Sequence, residues 1–201
     1  MSTRAASREA QRPLAAVLAG GAGRRIGGAK PSALLGGQAL IAYPVAAAAA
    51  ARLEVAVVAK RDSALPPLDC AVVLEPDLPR HPLCGILAAL EHADGRPILA
   101  LACDMPFLTG PLLSWLAGQR GAAVVELDGR LQPLLARYVR ASRSVFEQAL
   151  AEQRSVTSAV QQIAPTRIDA SELARFGDPA RLCFNVNDAA DLAAAERWLA
   201  H

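Results

Sequence analysis

The 201-residue sequence has few histidines and no closely spaced pair of cysteines. Its four cysteines form no C-x-x-C motif, which argues against a zinc site. Of the three histidines, His92 belongs to a predicted helix and His201 is the last residue, so neither is suited to activate a serine or cysteine nucleophile. There is no Gly-x-Ser-x-Gly motif either. The sequence therefore argues against hydrolases of the serine or cysteine type.

Aromatic residues make up only 4% of the chain, and the formal net charge is only +2. The small charge gives no electrostatic reason to expect a nucleic acid partner. Hydrophobic residues at 53% and charged residues at 20% are typical of a globular protein. With so few aromatic residues and so many alanines, we expect helices that pack closely on small side chains. The length suits one domain, which we predict over residues 13–201.

The first twelve residues are polar and lack the apolar centre of a signal peptide. They are predicted to form a disordered tail over residues 1–12, and the chain is predicted to be cytoplasmic with reduced cysteines. Residues 31–51 carry no charge and are long enough to span a membrane. Because this segment contains two prolines and two glycines and is otherwise rich in alanine, we predict a loop followed by a buried helix.

The most informative stretch is residues 14–30, LAAVLAGGAGRRIGGAK. It opens with an apolar run of strand length. Five glycines follow, at positions 20, 21, 23, 27 and 28, with Arg24 and Arg25 between them and Lys30 just beyond. Glycine lets the backbone approach a ligand closely, and successive backbone N–H groups form an anion-binding concavity. Together with three cations, this pattern predicts a site for a nucleoside triphosphate.

Other phosphate-binding motifs fit this stretch less well. A P-loop needs Gly-Lys-Ser/Thr, whereas Lys30 follows Ala29 and precedes Pro31. The spacing Gly21-x-Gly23-x-x-x-Gly27 places the last glycine one residue later than in the dinucleotide-binding motif. The next predicted strand also ends in two basic residues, where that motif has a ribose-binding acid. A flexible surface loop is the remaining alternative.

Apolar periodicity and turn residues predict alternating strands and helices along the rest of the chain. Strands are predicted at about residues 14–19, 55–59, 71–74, 97–103, 123–127, 131–138, 166–169 and 183–186, and helices at about 40–52, 83–95, 110–118, 143–152, 156–163 and 189–199. Thr109 is predicted to cap the third helix, and Asn187 or Asp188 the last. The fold class is therefore α/β, with a mostly parallel sheet covered on both faces and an antiparallel hairpin at Asp128-Gly129 in the second half.

Asp104 directly follows a predicted buried strand. Ligands of open α/β sheets bind beyond the carboxyl ends of the strands, and carboxylate oxygens suit Mg²⁺ held together with substrate phosphates. We predict that Asp104 binds the metal. An aspartate that only begins a loop is the alternative.

Residues 18–30 resemble the signature loop of the molybdenum cofactor guanylyltransferases, a family within a wider group of nucleotidyltransferases. Ala102-Cys103-Asp104-Met105-Pro106 resembles the metal-binding strand end of the same family, and Phe184-Asn185-Val186-Asn187 resembles the segment before its last helix. The chain departs from the family by one missing residue, often an aspartate, before Lys30. The resemblance implies a Rossmann-like nucleotidyltransferase fold with three α/β/α layers.

The resemblance also implies roles for individual residues. The nucleotide would be bound by Leu18, Ala19, Gly20, Gly21, Gly23, Arg24, Arg25, Lys30, Glu75 and Gly85; the catalytic residues would be Arg25, Lys30 and Asp104; Asp104 would bind Mg²⁺; and Asn185 and Asn187 would bind the acceptor. The two asparagines would lie on one face of the predicted strand 183–186 and its extension.

Three of these positions have open alternatives. The family's nucleotide-side acid matches either Glu75 or Asp77, and we choose Glu75. His81 stands where the family has a glycine, and it is either a ligand contact or a loop residue. Asn187 is either an acceptor ligand or a helix cap.

The implied reaction is the transfer of GMP from Mg-GTP to the terminal phosphate of molybdopterin, giving molybdopterin guanine dinucleotide and pyrophosphate. The implied partners are GTP, a molybdopterin-type acceptor and, transiently, molybdenum cofactor biosynthesis or recipient enzymes, with no nucleic acid and no membrane. Alternatives are a molybdopterin cytidylyltransferase, a sugar-phosphate nucleotidyltransferase, and a non-catalytic nucleotide- or pterin-binding protein of the same fold.

Overall fold

Nine strands and eight α-helices form in residues 12–20 and 30–200, the part of the chain that the computed structural model describes. The strands are β1 (Leu14–Leu18), β2 (Leu34–Leu35), β3 (Gln38–Ala39), β4 (Glu54–Ala59), β5 (Ala71–Leu74), β6 (Ile98–Ala102), β7 (Ala123–Leu127), β8 (Arg130–Tyr138) and β9 (Thr166–Ile168). The helices are α1 (Ala42–Ala50), α2 (Pro82–His92), α3 (Gly110–Ala117), α4 (Arg143–Ala151), α5 (Val156–Gln162), α6 (Ala170–Leu173), α7 (Pro179–Leu182) and α8 (Ala189–Leu199).

Seven of these strands form one sheet in the order β5-β4-β1-β6-β8-β7-β9. Strands β5, β4, β1 and β6 are parallel, whereas β8 runs antiparallel to its neighbours β6 and β7. Strand β9 returns parallel to β7. The predicted fold class, a mostly parallel sheet with an antiparallel insertion in the second half, is confirmed.

Consecutive residues of a strand point to opposite sides of the sheet, so apolar strands present hydrophobic side chains on both faces. Helices cover both of these faces. In β1, Ala15 and Val17 pack with buried residues of α1 and α3. Leu14 and Ala16 pack on the other face, with buried residues of α2, α4 and α5. Every residue of β1 and β6 is buried, as expected for parallel strands at the centre of a three-layer fold.

The turns follow the residues that the sequence provides. Thr109 caps α3 by accepting a hydrogen bond from the N–H group of Leu112. Asp128 and Gly129 both have positive φ, at 51° and 71°, which is typical of a type I′ hairpin turn. Asp188, rather than Asn187, caps α8 by accepting bonds from two backbone N–H groups. These predicted boundaries are confirmed.

The strand predicted at residues 183–186 is wrong. This segment is irregular and contacts the end of β6 through one backbone hydrogen bond, from the N–H group of Val186 to the carbonyl oxygen of Asp104 at 2.9 Å. It cannot extend the sheet there because β6 already has β1 on one side and β8 on the other. The short elements β2, β3, α6 and α7 were not predicted either.

No helix within residues 12–20 and 30–200 is long and apolar enough to cross a membrane. Most of the predicted tail, residues 1–11, lies outside the described residues. The assignment of residues 13–201 to a single domain stays a prediction.

Candidate active site

The carboxyl ends of four parallel strands provide a row of polar and small residues. Glu75 follows β5, Lys60 follows β4, Gly20 lies two residues beyond β1, and Asp104 lies two residues beyond β6. Because these strands are adjacent in the sheet, the four positions follow one another along the same edge. Open α/β sheets bind their ligands at this edge.

A cavity of about 370 Å³ opens along this edge. Its lining includes two acids, four basic side chains and several small or apolar residues: Leu18, Gly20, Lys30, Lys60, Glu75, Arg80, His81, Pro82, Ala102, Cys103, Asp104 and Leu134. The size is within the range of pockets that bind small molecules and cofactors.

Lys30 connects three separate parts of the chain at one end of this site. It lies in a short 3-10 turn over Lys30–Ser32, and its ammonium forms an ion pair with the Oδ2 atom of Asp104. The same ammonium donates a hydrogen bond to Oδ1 of Asn187 at 3.1 Å. The side chains of Lys30 and Asp104 are only 15% and 12% exposed, so their charges are partly shielded from water.

Aromatic packing against α8 fixes the segment that carries Asn187. Phe184 lies against Trp198 of α8 with ring centroids 4.8 Å apart, and Phe107 lies 5.5 Å from the same tryptophan. Val186, between the two asparagines, is completely buried. Since Phe107 also follows Asp104 closely in the sequence, this packing holds the loop after β6 and the segment 184–187 together.

Asn185 and Asn187 do not lie side by side on a strand, which corrects that prediction. The Nδ2 group of Asn185 donates to the carbonyl oxygen of Cys183 at 3.0 Å, and that of Asn187 donates to the carbonyl oxygen of Asn185 at 3.2 Å. The amides therefore stabilise an irregular turn. Of the two side chains, Asn187 also reaches Lys30.

A second charged pair, Lys60 and Glu75, lies at the ends of β4 and β5. The Nζ atom of Lys60 is 3.5 Å from Oε1 of Glu75 and donates to the carbonyl oxygen of Pro76 at 2.5 Å. Lys60 is 4% exposed and Glu75 is 8% exposed. Burial raises the pKa of the Glu75 carboxyl group, and the neighbouring Lys60 ammonium opposes that rise.

Two glycines make room for the Glu75 carboxylate. A Cβ atom added to Gly20 would lie 1.7 Å from Oε1 of Glu75, and one added to Gly85 would lie 3.2 Å from Oε2. The carboxylate thus lies against the backbone where the glycine-rich stretch begins. This close approach explains why position 20 requires glycine.

The described part of the chain brings most of the predicted site residues together. Leu18, Gly20, Lys30, Glu75 and Asp104 line the cavity, Gly85 borders Glu75, and Asn187 reaches Lys30. Ala19 is buried, and its N–H group donates to the carbonyl oxygen of Val58. The predictions for Gly21, Gly23, Arg24 and Arg25 lie outside the described residues.

The structure also bears on the open alternatives. Glu75 lines the cavity, whereas Asp77 is exposed and is not among the lining residues described. His81 lines the cavity, and its Nδ1 atom caps α2 by accepting a hydrogen bond from the N–H group of Leu83 at 3.2 Å. A ligand contact by His81 stays a prediction.

Sequence reasoning missed Lys60, Arg80 and Leu134 as cavity residues. The sequence does indicate Lys60 as a candidate, because it directly follows an apolar strand. Asp104 has a similar position, two residues beyond β6. A lysine at the carboxyl edge of a parallel sheet is a candidate ligand contact for the same reason as an aspartate there. Arg80 and Leu134 gave no comparable signal.

Asp104 provides a carboxylate, the kind of ligand that Mg²⁺ prefers in proteins. Within residues 12–20 and 30–200, no group of three or more histidine, cysteine, aspartate or glutamate side chains could hold a metal by itself. Mg²⁺ is commonly held through one or two carboxylates together with substrate phosphates and water, so a complete protein cage is not needed. The carboxylate of Asp104, which lines a cavity together with several basic side chains, fits that mode.

Solved structures with the same fold define the class of protein. The chain is similar to 2-C-methyl-D-erythritol 4-phosphate cytidylyltransferase from Thermus thermophilus, with a TM-score of 0.68 and 19% identity over 95% of this chain and 100% of that one. It is also similar to molybdopterin-guanine dinucleotide biosynthesis protein A from Archaeoglobus fulgidus, with a TM-score of 0.78 and 25% identity over 93% and 98% of the two chains. The fold is that of a Rossmann-like nucleotidyltransferase.

Sequence relatives identify the family. Residues 15–166 match the MobA-like NTP transferase domain. The chain is 34% identical to a molybdenum cofactor guanylyltransferase of Cereibacter sphaeroides over 91% of this chain and 95% of the relative. It is 32% identical to one of Sinorhizobium fredii over 92% and 91% of the two chains. The chain belongs to the MobA-like NTP transferase family and is a nucleotidyltransferase, as the resemblance of its loop implied.

Proposed function

We propose that this protein transfers GMP from Mg-GTP to the terminal phosphate of a molybdopterin, in its molybdenum-loaded form, to give molybdopterin guanine dinucleotide and pyrophosphate. The single observation that carries the proposal is the meeting of Lys30, Asp104 and Asn187 at the carboxyl edge of the sheet. This meeting joins the residue after the glycine-rich stretch, the acid after β6 and the segment before the last helix. The relatives that cover most of this chain are molybdenum cofactor guanylyltransferases and a molybdopterin-guanine dinucleotide biosynthesis protein, which supports GTP and molybdopterin as the substrates.

In this reaction an oxygen of the acceptor phosphate attacks the α-phosphorus of GTP, and the bond from that phosphorus to the bridging oxygen of pyrophosphate breaks. The attacking oxygen is already anionic, so no general base is needed. The barrier comes from charge repulsion and alignment, which fixed cations relieve.

The residues of this chain divide the work. The ammonium of Lys30 offsets negative charge on the triphosphate and on the leaving pyrophosphate, together with the predicted contribution of Arg25. Asp104 would hold Mg²⁺, which would supply positive charge beside the phosphates. Because Gly20 has no side chain, the nucleotide can approach the backbone there closely. Asn187 holds Lys30 in place. The segment 184–187, with Asn185, faces the acceptor.

The proposal includes a cytoplasmic location and transient contact with molybdenum cofactor biosynthesis or recipient enzymes, which must supply the acceptor and take the product. Both follow from the chemistry of a soluble nucleotide substrate and a reactive cofactor product. Neither a nucleic acid nor a membrane has a part in the reaction.

The experiment that tests the proposal has two stages. Thermal unfolding is followed with GTP, CTP, ATP or UTP and Mg²⁺, because a ligand that binds only the folded state raises Tm. We expect the largest rise with GTP. The protein is then incubated with GTP, Mg²⁺ and molybdenum-loaded molybdopterin, and pyrophosphate and the dinucleotide are measured. A larger rise with CTP would favour cytidylyl transfer, and GTP binding without product would favour a non-catalytic binder.

A further inference from the structure

One stretch of the cavity wall is apolar and has no part in the phosphate chemistry described above. This apolar wall is formed by Leu134 of β8, by Ala102 at the end of β6 and by Cys103. Strands β6 and β8 are neighbours in the sheet, so the wall directly adjoins Asp104, which follows Cys103. Leu134 has the largest side chain of the three and is only half-buried, so it is available to contact a ligand in the cavity.

A bulge in β8 places Leu134 at the apolar wall. Val124 and Val125 are consecutive in β7, but they pair with residues 136 and 132 of β8. Residues 133–135 are therefore extra on β8 and bulge out of its ladder with β7. Bulges re-aim side chains and are common beside active sites.

Tyr138 fixes the shape of this bulge. Its hydroxyl group donates a hydrogen bond to the carbonyl oxygen of Pro133 at 2.7 Å. The tyrosine is completely buried, and its ring packs edge-on against Phe146 with centroids 5.0 Å apart. Pro133 has no N–H group and a fixed φ, so the backbone before Leu134 has little freedom. Leu134 is thus held in place by the core of the protein.

The apolar wall lies on the proposed acceptor side of the site. From Gly20 beyond β1, the cavity extends towards Lys60 in one direction and towards Asp104 in the other. The segment 184–187 lies in the second direction, because the N–H group of Val186 donates to the carbonyl oxygen of Asp104 at 2.9 Å. Asp104 adjoins both this segment and the apolar wall, so an acceptor that is bound by the segment also meets the wall.

An apolar side chain in this place suits one class of acceptor. A flat ring system can bury its face against leucine, which is favourable because apolar area is removed from water. A sugar phosphate would bring hydroxyl groups against the same side chain, and a hydroxyl group buried without a hydrogen-bond partner weakens binding. The apolar wall therefore suits a phosphate ester with a flat ring system.

We propose that Leu134 is an acceptor-binding residue: it packs against the ring system of the acceptor, and Tyr138 positions it through the bulge of β8. This inference rests on the proposed function for the reaction itself. The action of Leu134 is confined to the acceptor, so the binding of GTP does not depend on it.

The first experiment titrates molybdenum-loaded molybdopterin at saturating Mg-GTP and measures pyrophosphate release. We expect Leu134→Ala to raise the KM for the acceptor about tenfold, because the loss of a methylene-sized contact in a pocket has an effect of this order. The kcat and the Kd for GTP, measured by calorimetry, should stay near their wild-type values. Leu134→Met keeps the volume of the side chain and should restore the KM. The matched control is Leu131→Ala, which truncates a half-buried leucine of the same strand that is not among the lining residues described.

The possible outcomes separate this inference from the proposed function. An unchanged KM for the acceptor in Leu134→Ala overturns the inference. Weaker binding of GTP with an unchanged KM for the acceptor overturns it too, because Leu134 would then lie on the nucleotide side. A wild-type protein that releases no pyrophosphate with this acceptor would instead refute the proposed function, so the two failures are distinguishable.

The second experiment tests the positioning role of Tyr138. Tyr138→Phe removes only the hydroxyl group and leaves the carbonyl oxygen of Pro133 without its donor. We expect the KM for the acceptor to rise about threefold to tenfold, the effect of one hydrogen bond, while the Kd for GTP stays the same. A lower Tm with an unchanged KM would show a purely structural role and would overturn the positioning by Tyr138. If Tyr138→Phe does not fold, the comparison of Leu134→Ala with Leu134→Met decides.

Discussion

The ammonium of Lys30 donates a hydrogen bond to the side-chain amide oxygen of Asn187 at 3.1 Å, although 157 positions separate the two residues in the sequence. This contact joins the nucleotide side of the site to the segment proposed to face the acceptor. The ammonium of Lys30 has three N–H groups, so it can donate to Asn187, to Asp104 and to a phosphate oxygen at the same time. The contact makes Asn187 a positioning residue for Lys30, the cation that is proposed to act on the phosphates.

Asn187→Leu keeps the approximate size of the side chain and removes the acceptor for Lys30. We expect pyrophosphate release from GTP and the acceptor to fall about tenfold, because a charge-assisted hydrogen bond is lost. A modest fall in Tm should accompany it, because the bond from Nδ2 of Asn187 to the carbonyl oxygen of Asn185 is lost as well. The matched control is Gln161→Leu, which removes an exposed amide on α5. Unchanged turnover in Asn187→Leu would show that Lys30 is positioned without this contact.

Asp104→Asn tests the metal role of the strand-end carboxylate. We expect pyrophosphate release to fall about a hundredfold or more, since a positioned electrostatic group at the reacting phosphates is lost. The apparent Mg²⁺ affinity of the GTP complex, titrated by intrinsic fluorescence or calorimetry, should also fall. Asp94→Asn is the matched control, because Asp94 is exposed at the end of α2 and asparagine tolerates its positive φ of 47°. Normal activity in Asp104→Asn would remove Asp104 from the mechanism.

Gly20→Ala tests the close approach of Glu75 to the strand exit. The new Cβ atom would lie 1.7 Å from Oε1 of Glu75, so the carboxylate must leave its place beside Lys60. Because this leaves two buried charges poorly paired, we expect a loss of about 1–3 kcal/mol in the free energy of unfolding, measured with urea. Gly118→Ala should be nearly neutral, since the nearest atom would be 3.4 Å away. Equal stability of the two variants would argue against a fixed Glu75.

The central sheet and much of the site could be predicted from the sequence because their signals are local. Buried parallel strands appear as continuous apolar runs, so β1 and β6, and with them Gly20 and Asp104, were placed correctly. Asp128-Gly129 favours one type of hairpin turn. These features depend on few neighbours.

The failures involve contacts that only the assembled fold determines. Residues 183–186 have the apolar pattern of a strand, but whether β6 has a free side depends on where β8 pairs. Likewise, nothing near Lys60 in the sequence reveals that Glu75 lies 3.5 Å away, because that distance depends on the pairing of β4 with β5. Prediction from local pattern therefore found which residues stand at the edge of the sheet but not how they pair.

Cys183 provides a test of burial at the base of the segment 184–187. Burial, and secondarily the charge of Asp128, raise the pKa of the Cys183 thiol to about 11 from its ordinary value of 9.0. Between these two pH values the unfolded chain has released the thiol proton and the folded chain still holds it. The folded-state pKa is the higher one, so the contribution of this thiol to stability is present below pH 9.0 and is lost as the pH rises towards 11.

We therefore expect the free energy of unfolding of the wild type to fall more steeply with pH in this window than that of Cys183→Ala. The difference in slope should be about 1.4 kcal/mol per pH unit, the value for one proton. Urea unfolding at a series of pH values measures it. At neutral pH the thiol is protonated in both the folded and the unfolded state. The difference in the free energy of unfolding between the wild type and Cys183→Ala at that pH therefore measures only the loss of packing. Parallel curves would mean that the Cys183 thiol is open to water in the folded protein and that the segment carrying Asn187 is not fixed as described.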